Sequence, residues 1–473
     1  MKELQQILEK SKLSAESIND SLLHPILQTL DYRPREVFDE LKEISDTFFT
    51  TRRTARMVGL AGLRGTGKTT LLWQTADYIY KNYTHNIYFF HIGNLQKYDI
   101  GITEIHEIIE EELANGRLSS YKKEIVLLFD EVHEDKNWAR DLKVLYDLFP
   151  SAFVIATGSS ALLLQSTADL VTRMYIQHIF PLSFTEFLNI SNPKVKQDFC
   201  QKEELKHILF AAESADDLFH KLESKQKLFT DYFSQTNNLE DEIIKYILYK
   251  NITRFAFIES KSQINKLITD LVRRVIYEDI PKMSEKVNIH FSEKILQRIA
   301  ASDEINLQTL SQSIGISQKE INENLDILVK SELLNVLYPF GGIDTKINKT
   351  HKYFFMSPSI RRVLLNPFVI SNNDNNLFAK FLEDIVVFYL NRVFKDSNIL
   401  SFSSTKGQKN PDIIIETTDK SILLEIGINK NTTKQISKSR IKYKYGMIIN
   451  SKTEKIELHN DIVIIPLKYF LLL

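Results

Sequence analysis

Cysteine is nearly absent from this chain, because Cys200 is the single cysteine among 473 residues. An internal disulfide and a cysteine-based zinc site are therefore excluded, and the composition suits a reducing cell interior. Neither sign of charge dominates, since 60 lysines and arginines stand against 61 aspartates and glutamates, for a net charge of -1. A site for a polyanion would therefore have to be a local patch.

Long apolar runs are missing as well. No stretch approaches the length of a membrane span, and the mixed-charge residues 1–4 do not have the pattern of a signal peptide. The 11 histidines show no metal-ligand spacing. We therefore expect a soluble, cytoplasmic protein without a membrane partner, whose length predicts two to four domains.

One stretch points to a ligand. Residues 62–69 fit the pattern G-x-x-x-x-G-K-[ST] of a phosphate-binding loop. Its glycines let the backbone turn successive N–H groups toward phosphate oxygens, and a helix that starts at its end adds further N–H groups. Lys68 supplies a point charge for the outer phosphates, and the Thr69 hydroxyl can ligate Mg²⁺. The residues predicted to bind the nucleotide are Gly62, Leu63, Arg64, Gly65, Thr66, Gly67, Lys68, Thr69 and Thr70.

The context of this loop is the one that phosphate binding requires. Residues 56–61 read as a short apolar strand before the loop, and residues 71–79 continue as a helix after it. Further along, residues 124–131 read as an apolar strand that ends in two carboxylates. Asp130 is expected to hold Mg²⁺ together with Thr69, and Glu131 to polarise the attacking water.

A third strand brings a hydroxyl to the same place. Residues 152–160 form another buried stretch, and Thr157 lies toward its carboxyl end, where open parallel sheets bind ligands. Thr157 could contact the γ-phosphate or the attacking water. Ser159 has the alternative role of capping the next helix.

Three segments together carry a family resemblance: residues 130–138 (DEVHEDKNW), 156–160 (ATGSS) and 181–187 (PLSFTEF). They resemble a large prokaryotic family of AAA-type ATPases, in which a winged helix and a C-terminal domain of restriction-nuclease-like fold follow the ATPase core. The resemblance runs from residue 45 to the C-terminus. It implies Mg²⁺-dependent hydrolysis of ATP, with Lys68 and Glu131 among the catalytic residues.

The same resemblance draws attention to Arg173. The family usually has Gly-Arg ahead of the Pro-Leu-Ser-Phe segment, and here the pair is Thr172 and Arg173. Arg173 is therefore a candidate catalytic arginine that stabilises charge on a bound or neighbouring nucleotide. A surface salt bridge is the alternative, because the glycine is lost.

The predicted fold class is α/β: a P-loop NTPase sheet of the ASCE/AAA type, parallel, with helices on both faces. A helical region, a winged helix and a small α/β restriction-nuclease-like domain are expected after it. The predicted boundaries are 1–45 for an N-terminal helical segment, 46–190 for the ATPase core, 191–290 for the helical region, 291–366 for the winged helix and 375–473 for the nuclease-like domain.

The winged helix is read from residues 292–356 as three helices and two strands, with Gly341 and Gly342 in the wing. Ser317 and Glu320 form a capping box on the third helix. DNA recognition is the default role of such a motif. However, the third helix has a net charge of -1, which repels phosphates. Contact with another domain or protein is therefore an equal alternative.

In the C-terminal region, residues 410–415 and 422–427 are predicted to pair as strands. Asp412 and Glu425 could then share a divalent metal ion, with Glu383 from the preceding helix completing a second metal site. This resembles the P-D-(D/E)-x-K nuclease core, except that Gly427 stands where the family has a lysine. Two readings stay open. Lys430 or Lys434 replaces that lysine, or the domain binds without cleaving.

A basic stretch follows. Lys430, Lys434, Lys438 and Lys442 recur at every fourth residue, and no acidic residue occurs from 427 to 453. On a helix they would form one stripe, which suggests DNA or RNA as a partner. A solvated helix face is the alternative.

Three hypotheses therefore stand: an ATP-hydrolysing switch, an ATP-gated DNA or RNA nuclease, and a non-catalytic ATP-dependent regulator that binds protein partners or forms a homo-oligomer.

Overall fold

The computed structural model describes residues 2–23, 33–114, 118–158, 170, 172–191, 199–284, 287–302, 306–365, 375–394, 397, 399–403 and 410–473. The chain divides into two compact units. Unit 1 comprises residues 1–180 and 282–285, and unit 2 comprises residues 181–281 and 286–473.

Unit 1 alternates strands and helices. Its helices are α1 Lys2–Ser11, α2 Ala15–Leu22, α3 Val37–Thr51, α4 Lys68–Asn82, α5 Ile92–Leu95, α6 Ile102–Glu112 and α7 Trp138–Leu148. Its strands are β1 Met57–Ala61, β2 Ile87–His91, β3 Ile125–Asp130, β4 Ala152–Gly158 and β5 Tyr175–His178. The strands form one sheet in the order β2-β3-β4-β1-β5, and every pair in it is parallel. The predicted parallel P-loop sheet is confirmed.

The two faces of this sheet are buried by different helices. In β3, Ile125, Leu127 and Phe129 pack into a core formed with α1, α6 and α7. Val126 and Leu128 point the other way, into a core formed with α2, α3 and α4. A strand that is buried on both sides needs a continuous apolar sequence, and β3 has one. Helices on both faces, as predicted, are confirmed.

This topology places three polar positions at one edge. Parallel strands present their carboxyl ends on the same side of a sheet. Strand β4 lies between β1 and β3, so the ends of these three strands are neighbours. The end of β1 leads into residues 62–67, β3 ends at Asp130, and Thr157 lies one residue before the end of β4.

Unit 2 begins with helices, which agrees with the predicted helical region. They are α8 Phe184–Ser191, α9 Lys202–Ala211, α10 Ala215–Ser224, α11 Gln226–Phe233, α12 Leu239–Lys245 and α13 Lys261–Arg274, and α14 Ile280–Met283 follows across the boundary with unit 1. Two π-helical turns, Tyr246–Lys250 and Val275–Asp279, extend α12 and α13. No helix in the described part of the chain is long and apolar enough to cross a membrane.

The remainder of unit 2 is a mixed α/β region. Its helices are α15 Ile289–Ala301, α16 Leu307–Ile314, α17 Gln318–Lys330, α18 Ile343–Asn348, α19 Pro358–Leu365, α20 Asn375–Val393, α21 Lys434–Ser437 and α22 Leu467–Phe470. Its strands are β6 Leu334–Pro339, β7 Lys352–Phe355, β8 Leu400–Phe402, β9 Ile413–Ile415, β10 Ser421–Gly427, β11 Tyr443–Asn450, β12 Glu457–His459 and β13 Ile462–Pro466.

Three helices and an antiparallel hairpin follow one another from α15 to β7, in the predicted order. The predicted capping box is present, because the Ser317 hydroxyl accepts the Glu320 N–H and the Glu320 carboxylate accepts the Ser317 N–H. Two features differ from the expectation. The wing contains α18, and the hairpin is not separate, because β6 pairs in parallel with β8.

The eight strands in the described residues of unit 2 therefore belong to one sheet, in the order β12-β13-β11-β10-β9-β8-β6-β7. The predicted pairing of the two strands that carry Asp412 and Glu425 is confirmed, since β9 and β10 are antiparallel neighbours. The assignment of this region as restriction-nuclease-like stays a prediction.

The predicted lysine-bearing helix is wrong. Helix α21 covers only Lys434–Ser437, and Lys442 directly precedes β11, which pairs in parallel with β10. Asn431, Thr432 and Thr433 are weak helix formers, and like charges at four-residue spacing destabilise a helix. The helix therefore stays short, and the end of the segment pairs as strand β11 instead.

A buried ion pair organises the middle of unit 2. The Arg361 guanidinium donates to the Asp384 carboxylate from Nε at 2.6 Å and from Nη2 at 2.9 Å, and neither side chain is exposed. The same carboxylate accepts the Phe355 N–H at 2.8 Å, and Arg361 Nη1 donates to the Ala300 carbonyl at 3.1 Å. One ion pair thus joins α15, β7, α19 and α20.

We expect Asp384→Asn to lower the free energy of unfolding of unit 2 by about 3–5 kcal/mol, because it leaves the buried Arg361 charge uncompensated. The control is Glu203→Gln, which removes an exposed pair with Lys206 at 3.4 Å and should cost about 0–1 kcal/mol. Urea denaturation followed by circular dichroism measures both. Equal midpoints for the two variants would contradict the assignment.

Candidate nucleotide-binding site

The loop between β1 and α4 requires glycine at its first position. A β-carbon built on Gly62 would lie 2.3 Å from the Ile179 carbonyl oxygen, far inside contact distance. Ile179 lies this close because its N–H donates to the Ala61 carbonyl at 2.6 Å. Gly65 and Gly67 have φ angles of 81° and 92°, in the left-handed region that favours glycine. The loop is therefore shaped by both local turns and a close backbone approach.

Arg35 braces the same loop from outside it. Its Nη1 donates to the Thr66 carbonyl and to the Phe180 carbonyl, each at 2.8 Å, and the side chain is buried. Arg35 lies 31 residues before Thr66, next to the amino end of α3. Arg35 has no signal in the sequence, because an arginine beside a helix start has no pattern that points to a distant carbonyl.

The Lys68 ammonium points into the loop. It is the first residue of α4, and Gly67 is the residue before the helix. Nζ donates to the Gly62 carbonyl at 2.7 Å and to the Leu63 carbonyl at 3.1 Å, and the side chain is buried. The Lys68 ammonium is thus held beside the N–H groups at the start of α4, where an anion is stabilised.

Two hydroxyl groups converge on the Asp130 carboxylate. Thr69 Oγ1 lies 3.1 Å from both carboxylate oxygens, and Thr157 Oγ1 donates to Oδ1 at 2.5 Å. Asp130 is only 2% exposed, and burial raises the pKa of its carboxyl above the ordinary value. A buried acid with a hydroxyl of the first turn of α4 beside it is a donor set that suits Mg²⁺.

Glu131 is held in a different way. Its φ of 57° is left-handed, which costs free energy for a residue other than glycine, and its N–H donates to Thr157 Oγ1 at 3.0 Å. The carboxylate lies 3.1 Å from His133 Nε2. Burial works against the charged form, but the positive potential of His133, and then of Lys68, outweighs it and lowers the pKa of Glu131. Glu131 is therefore an ionised carboxylate beside Asp130.

Two histidines join this centre that the sequence did not signal. His91 ends β2 and lies opposite Asp130 in the β2–β3 register. His133 follows β3 in a short 3-10 turn and pairs with Glu131. Without metal-ligand spacing, neither has a sequence signal beyond its place after a strand.

The structure brings most predicted residues of this site together. Leu63, Arg64, Gly65 and Thr66 form the loop, while Thr69 and Thr70 lie in the first turn of α4. Thr70 is exposed there. Ser159 and Ser160 lie outside the described residues.

Arg173 is engaged elsewhere in unit 1. Its Nε lies 2.9 Å from Asp147 Oδ1, and Nη2 lies 3.3 Å from Oδ2, so it forms a salt bridge with α7. This is the alternative that the missing glycine suggested. A role toward a neighbouring nucleotide stays a prediction.

The second predicted acidic centre is partly assembled, in unit 2. Asp412 Oδ2 accepts the Ile426 N–H at 2.8 Å, and Glu425 lies on β10 without exposed surface. Lys430 reaches both carboxylates: Nζ contacts Glu425 Oε2 and lies 3.5 Å from Asp412 Oδ2. Burial, and then the Asp412 charge, raise the pKa of Glu425 to about 8. Burial opposes the charge of Lys430, but the two acids outweigh it and raise its pKa.

Glu383 does not complete this centre. Among the described residues, no group of three or more histidine, cysteine, aspartate or glutamate side chains could hold a metal ion. The predicted metal set of Glu383, Asp412 and Glu425 is therefore not formed in the structure. The sequence position of Glu383, next to Asp384, does not indicate which side of α20 faces the strands.

Comparison with known proteins identifies the class of unit 1. Residues 54–188 match a family model described as "AAA domain". The chain therefore carries an AAA-type P-loop ATPase domain, which implies ATP binding. Residues 255–369 match a second model, described as "Domain of unknown function (DUF8612)".

Two curated relatives come from Methanocaldococcus jannaschii. The uncharacterized protein MJ1637 is 29% identical over 472 residues, which cover 96% of this chain and 94% of that protein. The uncharacterized protein MJ1544 is 27% identical over 138 residues, which cover 29% of each chain. The similarity to MJ1637 thus extends over nearly the whole of both chains.

Solved structures show weaker likeness. The Walker-type ATPase PABY2304 of Pyrococcus abyssi matches with 14% identity and a TM-score of 0.40, over 71% of this chain and 99% of that one. The RuvB Holliday junction branch migration motor of Thermotoga maritima matches with 19% identity and a TM-score of 0.28, over 64% of this chain and 89% of that one.

We expect Gly62→Ala to weaken nucleotide binding and to lower the melting temperature of unit 1, because the new methyl group displaces the Ile179 backbone from Ala61. The control is Gly342→Ala, where an added β-carbon meets no atom within 4 Å and φ is -66°. Thermal unfolding and the Kd for a fluorescent ATP analogue report the result. Nucleotide affinity equal to that of the control would show that the close approach does not shape the loop.

Proposed function

We propose that this chain is an Mg²⁺-dependent ATP hydrolase whose nucleotide state controls the winged-helix and nuclease-like parts of unit 2, and that unit 2 contacts nucleic acid. One observation carries the hydrolase: the hydroxyls of Thr69 and Thr157 meet on the buried Asp130 carboxylate, at the end of the strand next but one to the loop of Lys68. Glu131, the other carboxylate, is ionised and lies directly beside it.

Each group has a distinct task in this proposal. The N–H groups of residues 62–70 and the Lys68 ammonium bind the phosphates. Thr69 and Asp130 would hold Mg²⁺, which supplies neutralisation of phosphate charge when bound. Glu131 orients the attacking water and takes its proton. Thr157 connects both acids, because one hydroxyl donates to Asp130 and accepts from the Glu131 backbone.

Glu131 has a proton-accepting form available at neutral pH, since its pKa is lowered. His133 lies on one side of its carboxylate at 3.1 Å and fixes its direction. A base that is ionised and oriented in advance loses little free energy to reorganisation when the water attacks the phosphate. Arg173 is proposed only as an arginine that could act on the nucleotide of a neighbouring copy.

The proposed role of the winged helix is contact within the chain or with protein partners. Helix α17 has a net charge of -1 from Lys319, Glu320, Glu323, Asp326 and Lys330. Its hairpin already pairs with β8, through Tyr338 and Ser401. An acidic recognition helix and a wing that is committed to a sheet both favour this role over groove reading.

Nucleic-acid contact is proposed for the segment that follows β10 instead. Its lysines at 434, 438 and 442 are exposed, and no acidic residue occurs from 427 to 453. Such a patch on a chain of balanced charge is the feature that a phosphate backbone would recognise.

We expect Lys68→Ala to reduce steady-state ATP hydrolysis by at least about 10²-fold, because the outer phosphates lose the ammonium that binds them. Lys81→Ala is the matched control. Lys81 lies on the same helix, is exposed and pairs with Asp77 at 2.7 Å. Phosphate release is measured for both. Wild-type turnover in Lys68→Ala would overturn the site.

We expect Glu131→Gln to keep ATP affinity while hydrolysis falls by about 10²–10⁴-fold, because the amide cannot take the proton from water. Glu124→Gln serves as control, since Glu124 precedes the same strand at its other end and pairs with Arg52 at 2.6 Å. Binding is followed with a fluorescent ATP analogue and turnover by phosphate release. Loss of affinity without a selective loss of turnover would assign Glu131 to binding instead.

A further inference from the structure

The side chain of Lys430 occupies the space that glycine at 427 leaves open. A β-carbon built on Gly427 would lie 2.8 Å from Lys430 Cβ and 2.9 Å from its Cδ. Any side chain at 427 would therefore displace Lys430. The absence of a lysine at 427 and the position of Lys430 are linked, because the Lys430 ammonium enters the acidic centre from the loop after β10 rather than from β10 itself.

That ammonium balances one negative charge at a centre that contains two acids. Glu425 has no exposed surface, and a buried carboxylate needs a partner of opposite charge or several hydrogen bonds. Lys430 Nζ contacts its Oε2 and lies 3.5 Å from Asp412 Oδ2. The other bond of Asp412 Oδ2 comes from the Ile426 N–H at 2.8 Å.

A divalent ion would have to compete with Lys430 for this donor set. Mg²⁺ and Ca²⁺ require six or more oxygen ligands, and carboxylates supply the negative ones. Within the described residues the centre has two acids and no third acidic or histidine ligand. Glu425 Oε2 and Asp412 Oδ2 face the Lys430 ammonium, so an ion bound to these two atoms would have to displace the lysine.

The loop that carries Lys430 is anchored at several points. Asn450 is buried, and its Nδ2 donates to the Lys430 carbonyl at 3.2 Å and to Asn431 Oδ1 at 2.9 Å. The Ser451 N–H donates to the Gly427 carbonyl at 3.1 Å. The acidic centre, together with Asn450, therefore fixes the first half of the basic segment, residues 428–444.

The outer side of the basic segment is exposed and cationic. Its side chains that face solvent include Lys434, Lys438, Arg440, Lys442 and Lys444. Because residues 427–453 contain no acid, this charge is not neutralised within the segment. A partner with closely spaced negative charges, such as a nucleic-acid backbone, matches it.

We propose that the Lys430 ammonium takes the place of a divalent cation between Asp412 and Glu425, so that this centre is a metal-independent ion cluster that positions the basic segment on a nucleic-acid backbone without cleaving it. The nucleic-acid part rests on the proposed function. The metal part rests on the ion cluster alone, and the two are tested separately.

The metal part is tested on the full chain without nucleotide, by electron paramagnetic resonance of free Mn²⁺ during a titration. Wild type and Asp412→Asn should bind the same amount, since neither uses Asp412 for metal. Asparagine keeps an oxygen that accepts the Ile426 N–H, so this variant should fold. A site present in wild type and lost in Asp412→Asn would overturn the proposal.

A second variant tests the same point in the opposite direction. Lys430→Met should gain one Mn²⁺ site per chain, because both carboxylates lose their internal cation. If Lys430→Met loses its folded thermal transition, the double variant Lys430→Met with Glu425→Gln, which removes both charges of the buried pair, should restore that transition. A folded Lys430→Met chain without added Mn²⁺ binding would overturn the substitution of ammonium for metal.

The nucleic-acid part is tested by fluorescence anisotropy with labelled duplex DNA and single-stranded RNA, in EDTA. Wild type should bind without metal. Replacing Lys434, Lys438 and Lys442 with alanine should reduce the slope of log Kd against log salt by about 3, roughly one for each phosphate contact. The control replaces Lys227, Lys266 and Lys319, which are exposed elsewhere in unit 2, and should keep the slope.

Two further outcomes decide between the parts. No binding of either nucleic acid, or binding only of a protein partner, would overturn the nucleic-acid role of the segment and leave the Mn²⁺ result standing. Cleavage of either substrate with Mg²⁺ or Mn²⁺ and ATP, lost in Asp412→Ala, would overturn the metal-independent cluster. ATP turnover by the same samples reports the state of unit 1 independently.

Discussion

The Asp130 carboxylate and its two hydroxyl donors are the contact on which unit 1 depends. This acid lies at the end of a strand that is buried on both faces, where an isolated charge would be costly. Thr69 comes to it from the helix after the loop, and Thr157 from the neighbouring strand. The strand order β3-β4-β1 is what brings these segments together, so the sheet and the site have one common cause.

The same contact sets the position of the second acid. Thr157 accepts the Glu131 N–H, and the chain turns through a left-handed residue at this point. That conformation is unfavourable for glutamate, and surrounding bonds must hold it. His133, two residues further along the chain, contacts the Glu131 carboxylate and fixes the side chain. Strain is thus found at the residue whose carboxylate the proposed chemistry needs, while its neighbours supply the compensation.

Sequence patterns revealed the parts of this architecture that depend on neighbours along the chain. The loop glycines, the strand that ends in Asp130 and the capping box at Ser317 are local features, and the structure contains each of them. Arg35 could not be found in this way, because the two carbonyl groups to which it donates are 31 and 145 residues away in the sequence. Only the folded chain brings these groups to one guanidinium.

In the basic segment, by contrast, a local pattern predicts a helix that the structure does not contain. A four-residue repeat of lysines is a helical period, and it predicts a helix. Periodicity indicates which residues would share a face if the helix formed. It carries no information about strand pairing or other tertiary contacts that compete with the helix. Here β11 gains a full set of bonds to β10 and β13, and Lys430 gains two carboxylates. Tertiary contacts therefore decide against the local pattern.

The two acidic centres of this chain differ in what satisfies them, and this difference separates their chemistry. Asp130 is bonded by neutral hydroxyls, so its negative charge remains available to a cation. Glu425 Oε2 is in contact with the Lys430 ammonium, so a positive group already lies where a metal ion would bind. A hydroxyl partner preserves the attraction for Mg²⁺, whereas a lysine partner must first be displaced. Two carboxylates at the ends of buried strands can therefore look alike in sequence and yet serve a metal in one unit and a loop in the other.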